Sequence, residues 1–64
     1  MPPLGYIELL KPSADDPPRL TILKSKYNRI AIKLNGFYKL LSEEEINKAI
    51  TELKYYESQI DMYE

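Results

Sequence analysis

Residues 29–41 read RIAIKLNGFYKLL, and their pattern predicts a β-hairpin. Residues 29–34 alternate in polarity, and Ile30, Ile32 and Leu34 occupy every second position. Such alternation is typical of a strand with one buried face. Asn35-Gly36 follows directly and is a strong signal for a tight hairpin turn. We therefore predict a strand over 29–34, a turn, and a short strand over 37–41.

The chain before this hairpin extends the predicted sheet. Residues 4–11 and 19–26 are interpreted as two further strands. Residues 12–18 form a Pro-rich loop, because three prolines cannot continue a strand ladder. The result is a four-stranded antiparallel meander over residues 4–41. A three-stranded version, in which residues 37–41 become the approach to the next element, is the alternative.

Ser42-Glu43-Glu44-Glu45 indicates the start of a helix. Ser42 stands three residues before Glu45, which is the capping-box spacing, and the carboxylates suit the helix dipole. Neither Gly nor Pro follows, so we predict a helix over residues 43–62. Its apolar stripe consists of Ile46, Ala49, Ile50, Leu53, Tyr56, Ile60 and Tyr63. The predicted fold is one small α+β domain, residues 1–64: an antiparallel β-meander of three to four strands followed by one long C-terminal α-helix packed on one face.

Composition argues against most enzyme classes. The 64 residues include no Cys and no His, which excludes thiolate nucleophiles, disulfides, zinc sites and the Ser-His-Asp arrangement. The carboxylate clusters are interpreted as a helix start and a solvated loop, so we expect no metal, no cofactor and no enzymatic activity. We expect neither a signal peptide nor a membrane span, because no apolar run of the required length is present, and we expect a cytoplasmic protein, in the host cytosol if it is virus-encoded.

Small size and the end of the predicted helix favour a protein partner. A domain this short without disulfides or metals often depends on self-association or a bound partner, and we expect a homodimer. A 20-residue helix spans about 30 Å, whereas a short strand spans about 17–20 Å, so the last turns are expected to extend past the sheet. We therefore predict a non-enzymatic binding module, an inhibitor or adaptor encoded by a virus or mobile element, acting by protein–protein contact. The predicted partner-binding residues are Tyr55, Tyr56, Glu57, Ile60, Met62 and Tyr63.

Charge distribution supports an alternative function. Residues 1–42 carry seven basic and three acidic side chains, whereas residues 43–64 carry two basic and seven acidic ones. Basic side chains and an aromatic ring on an open sheet face are typical of single-stranded nucleic-acid binding. The residues predicted to share that face are Lys24, Lys26, Arg29, Lys33, Phe37 and Lys39.

The order of a sheet, the sequence Leu41-Ser42-Glu43-Glu44-Glu45 and one long C-terminal helix resembles the transcriptional-coactivator family of dimeric single-stranded-DNA-binding domains. The matching stretch is residues 41–53. The resemblance implies strands that face nucleic acid and helices that face each other across a dimer.

Overall fold

Two antiparallel helices form the body of the protein. The computed structural model describes residues 6–63, with α1 at Pro18–Phe37 and α2 at Glu43–Asp61. A single 3-10 turn, Tyr38–Leu40, joins the helices. No residue between 6 and 63 belongs to a strand, so the predicted α+β fold and its β-meander are wrong. The sheet on which the resemblance to the coactivator family depended is likewise not found in these residues.

The first helix forms because its core residues follow a helical period. Pro18 occupies the first turn, where proline is tolerated because its missing N–H has no partner in a helix anyway. Steps of three and four residues then separate the apolar side chains that face inward, which are Leu20, Leu23, Tyr27, Ala31 and Leu34. The alternation of residues 30, 32 and 34 covers fewer residues than this helical stripe. In the helix Ile32 does not face the core and is about half exposed.

Asn35-Gly36 does not form the predicted turn. The helix continues through both residues to Phe37, and Gly36 does not adopt the positive φ that a tight hairpin turn of this type requires. The side-chain amide of Asn35 instead binds the main chain of Ile7. The hairpin signal was therefore overridden by the apolar stripe of α1 and by a tertiary contact.

The capping box at the start of α2 is confirmed. The Ser42 hydroxyl accepts a hydrogen bond from the Glu45 main-chain N–H at 3.1 Å, and the Glu45 carboxylate accepts one from the Ser42 N–H at 2.9 Å. The Ser42 N–H, followed by the Ser42 side chain, holds the pKa of the Glu45 carboxyl below its ordinary value. The predicted helix is confirmed within one residue of its predicted end, since α2 runs from Glu43 to Asp61.

An extended N-terminal segment, residues 6–11, lies along α1 and runs antiparallel to it. The Asn35 side chain accepts from the Ile7 N–H at 2.9 Å and donates to the Ile7 carbonyl at 2.9 Å. The Asn28 side chain makes the same pair of bonds with Leu10, each 2.8 Å long. A carboxamide offers the same donor and acceptor as a peptide group, so each asparagine pairs as a neighbouring strand residue would.

The two contacts fit because their spacings match. Three residues of extended chain, from 7 to 10, cover about 10 Å, and seven residues of helix, from 28 to 35, cover about 10.5 Å. Asn28 and Asn35, two turns apart on one side of α1, therefore reach Leu10 and Ile7 at the same time. Ile7 and Leu10 are partly buried and pack against the core.

A polar turn connects the N-terminal segment to α1. The Asp16 carboxylate accepts hydrogen bonds from Lys24 Nζ at 2.7 Å and from the Ser13 N–H at 2.8 Å. Lys24 Nζ also donates to the Lys11 carbonyl at 3.2 Å. Lys24, followed by the Ser13 N–H, lowers the pKa of Asp16. Within residues 6–63 this is the one ion pair.

The core is small and lies between the helices. Its main cluster is Leu20, Tyr27, Ala31 and Ile60, against which Leu53 and Tyr56 of α2 also pack. Contacts between the start of α1 and the end of α2 show that the helices are antiparallel, and they have almost the same length, 20 and 19 residues. The end of α2 therefore packs on α1, and the prediction that its last turns extend past the rest of the fold is wrong.

Candidate functional site

More large apolar side chains are exposed than buried. In the described part of the chain the buried apolar residues number six, two of which are alanines. Nine large apolar side chains are exposed there, which are Tyr6, Leu9, Ile22, Ile32, Phe37, Leu40, Tyr55, Met62 and Tyr63. Scattered exposed apolar residues are normal, so the informative ones are those that lie together.

The two flanks of α1 differ in what covers them. Lys24, Asn28 and Asn35 lie on the flank that holds the N-terminal segment. At 100° per residue, Arg19, Ile22 and Lys26 lie roughly half a turn around the helix from that flank. No segment of residues 6–63 covers this second flank, and a groove opens there between the start of α1 and the end of α2.

The groove combines apolar walls with basic edges. Its volume is about 380 Å³, and it is open to solvent. The apolar walls are Ile22 and Leu23 of α1 and Tyr55 and Tyr56 of α2; Arg19, Lys26 and Gln59 add the polar groups. The two tyrosine rings pack edge to face, with centroids 5.4 Å apart, which stabilises their orientation. The groove is therefore suited to an apolar side chain flanked by negative charge.

The predicted partner-binding residues do not share one environment. Tyr55 and Tyr56 line the groove, and Tyr55 is 59% exposed. Met62 and Tyr63 are exposed at the end of α2, where Met62 lies seven residues, about two turns, beyond Tyr55. Ile60 is 8% exposed and belongs to the core cluster, so it does not offer a contact surface.

Glu57 faces solvent near the core. Burial is the main factor that raises the pKa of the Tyr27 hydroxyl, and the negative charge of Glu57 adds to it. Of the groove residues, Lys26 was predicted only for nucleic-acid binding, and Arg19, Ile22, Leu23 and Gln59 were not predicted as site residues. Once residues 18–37 are recognised as a helix, the spacing of residues 19, 22 and 26 places them on one face, which is the signal that identifies them.

The residues predicted to bind nucleic acid do not share a sheet face, but most of them share a helix face. Lys26, Arg29, Lys33 and Phe37 lie within about 80° of one another on the exposed side of α1. Lys24 lies on the opposite flank, in its ion pair with Asp16, and Lys39 lies in the 3-10 turn. The predicted basic sheet face is wrong, and a basic stripe along α1 replaces it for four of the six residues.

The two helices carry opposite charge. Residues 18–37 hold five basic side chains and no acidic one, whereas residues 43–61 hold six acidic and two basic ones. Arg19, Lys26, Arg29 and Lys33 are exposed and make no ion pair with any described residue. Positive charge is therefore concentrated on α1 and negative charge on α2, although the net charge of the whole chain is only −1.

Neither metal-binding clusters nor membrane spans are found in this part of the chain. Residues 6–63 hold no group of three or more carboxylates placed to bind a metal ion. Neither helix in this range is sufficiently long and apolar to cross a bilayer. Comparison with protein-family models, curated sequences and solved structures found no match to this chain.

Proposed function

We propose that this chain is a non-enzymatic binding module that holds a protein partner in the groove between α1 and α2. The observation that carries the proposal is the open groove lined by Ile22, Tyr55 and Tyr56 with Arg19 and Lys26 at its edges. Tyrosine and arginine are the residue types most enriched where binding energy concentrates in protein interfaces. The proposed partner segment presents an apolar side chain with acidic neighbours.

Two further features support a partner at this position. The core of the isolated chain is small, and domains of this size commonly gain stability from a bound partner. The opposite flank of α1 is already occupied by the N-terminal segment, whereas the groove between the helices is open to solvent.

Site-specific photo-crosslinking tests the proposal, because the chain offers a matched control. Ile22 and Ile32 are both on α1 and are 55% and 53% exposed, but Ile22 lines the groove and Ile32 does not. A benzophenone amino acid at position 22 is expected to form adducts with a protein in the cells that encode the chain. The same group at position 32 is expected to form about tenfold fewer.

The substitution Tyr55→Ser is expected to remove the position-22 adducts while circular dichroism shows an unchanged helix content. Mass spectrometry of the crosslinked peptide identifies the segment that occupies the groove. Equal crosslinking at positions 22 and 32, or none at position 22, contradicts the proposal.

Nucleic-acid binding is the second candidate function, and the stripe of Lys26, Arg29 and Lys33 on an α1 without acidic residues favours it. Three phosphate contacts with a single strand predict a slope of about −2 for the logarithm of affinity against the logarithm of salt concentration. The measurement is fluorescence anisotropy with a labelled single-stranded oligonucleotide. The paired change Arg29→Glu and Lys33→Glu is expected to abolish binding and to leave crosslinking at position 22 intact. Absence of binding at low salt contradicts this candidate.

A further inference from the structure

We infer that the occupant of the groove is a second copy of this chain, and that two hairpins pair into an antiparallel four-helix bundle in which α1 of each copy lies against α2 of the other. This inference rests on the proposed function, because it names the partner for the same groove. The observations that carry it are the opposite charges of the two helices and the position of exposed apolar residues beside the groove.

Symmetry leaves two ways to stack the open faces of two identical hairpins. In the first, the two-fold axis lies between the two stacked hairpins and runs perpendicular to their helices. This axis places α1 on α1 and α2 on α2. A two-fold axis parallel to the helices places α1 of one copy on α2 of the other. Homodimers are usually closed by a two-fold axis, and four antiparallel helices around a shared core are a common stable arrangement.

Charge selects between the two arrangements. The first stacks α1, whose Arg19, Lys26, Arg29 and Lys33 are exposed and unpaired among the described residues, on a second α1, and it stacks α2 on a second acidic helix. Like charges placed across an interface weaken it strongly, whereas complementary charges steer association and fix register. The second arrangement instead places each basic α1 beside an acidic α2, so we assign the axis parallel to the helices.

That axis also brings the two grooves together. This axis keeps the position of every residue along the helices, so residues at the same level face each other. Ile22 of one copy therefore meets the Tyr55 region of the second copy. By symmetry, the Tyr55 region of the first copy meets Ile22 of the second. Tyr55 and Ile22 are 59% and 55% exposed in the single chain. Their burial removes apolar surface from water in both copies, which is the main favourable term in association.

One ion pair in this arrangement is specific enough to test. Lys26 lines the groove about one helical turn beyond Ile22, and Glu52 lies about one turn before Tyr55 on the same side of α2. Because the helices are antiparallel, both steps run in the same direction along the hairpin. Both side chains are exposed, and within the described residues neither makes an ion pair. The two-fold axis therefore places Lys26 of each copy near Glu52 of the other.

Analytical ultracentrifugation of the full chain over a range of concentrations and at low salt tests the inference. We expect the mass to rise from 7.5 kDa toward twice that value. Lys26→Glu alone and Glu52→Lys alone are each expected to weaken dimerisation about tenfold or more, because each creates two like-charge contacts per dimer. An equimolar mixture of these two variants is expected to restore the dimer, since both of its contacts join opposite charges.

The control is Lys54→Glu, which makes the same charge change at an exposed position of α2 away from the groove, and it is expected to leave the mass unchanged. A single-chain mass at every concentration overturns the inference. A dimer that both single variants leave intact overturns the α1-to-α2 arrangement. Crosslinking at position 22 to a different protein, with a monomeric mass, retains the proposed function and rejects the second copy.

Discussion

Leu34→Ala is expected to unfold most of the protein at room temperature. Leu34 is 2% exposed near the end of α1, and it is the largest side chain that is fully buried in the described chain. Truncation of a buried leucine to alanine costs about 2–5 kcal/mol, whereas a domain of this size has a net stability of only about 3–5 kcal/mol. The expected result is a loss of most helical circular dichroism signal, or a melting temperature lower by roughly 10–30 °C where a transition remains.

Leu40→Ala is the matched control for this change. Leu40 lies in the 3-10 turn that follows α1 and is 80% exposed, so the same truncation is expected to alter stability by no more than about 0.5 kcal/mol. A melting temperature that falls equally for both variants contradicts the core assignment. If Leu34→Ala is fully unfolded, chemical denaturation of Leu34→Val measures the smaller effect of the same site.

The paired change Asn28→Ala and Asn35→Ala is expected to release the N-terminal segment from α1. It removes four hydrogen bonds to the main chain of Ile7 and Leu10. Each such bond contributes about 0.5–1.5 kcal/mol net, so the pair contributes on the order of 2–6 kcal/mol to holding the segment. The amide protons of Ile7 and Leu10 are therefore expected to exchange with solvent about tenfold faster or more, while the amides in the middle of α1 and α2 keep most of their protection.

Asn28→Asp separates the two halves of one asparagine contact. A carboxylate still accepts a bond from the Leu10 N–H, but it cannot donate to the Leu10 carbonyl, so we expect an intermediate exchange rate at Leu10. Asn47→Ala, at an exposed position of α2, is the control and is expected to have no effect on the segment. Protection at Ile7 and Leu10 that survives the double alanine change contradicts the role of the two asparagines.

The second helix was predictable because its signals are local. Ser42 and Glu45 stand at the capping-box spacing, and nothing in the following 19 residues interrupts a helix. The exposed tyrosine at position 55 was also predictable, because its place on the helix does not depend on what packs against the other side. These features require only the geometry of one helix.

The first helix was not predicted because two local patterns compete in the same residues. Ile30, Ile32 and Leu34 have the period of a strand, and Asn35-Gly36 is typical of a hairpin turn. The stripe of residues 20, 23, 27, 31 and 34 has the period of a helix and extends over a longer stretch. The longer stripe prevails because it buries a continuous face against α2, whereas Asn35 gains partners from a segment 28 residues earlier in the chain. No local pattern reports that tertiary contact. The α1 side of the groove was missed because it depends on recognising residues 18–37 as a helix.

The asparagine contacts make the N-terminal segment sensitive to its length and tolerant of changes in its exposed side chains. Both amides bind main-chain atoms alone, so replacing Glu8 or Leu9 leaves every one of those bonds available. One residue inserted between positions 7 and 10 lengthens the extended chain by about 3.3 Å, while the distance between the two amides stays fixed by the helix. Only one of the two contacts then fits at a time. The distance between Asn28 and Asn35 therefore fixes the number of residues between positions 7 and 10. In related sequences we expect substitutions within this segment, and we expect insertions and deletions only in the turn that follows it.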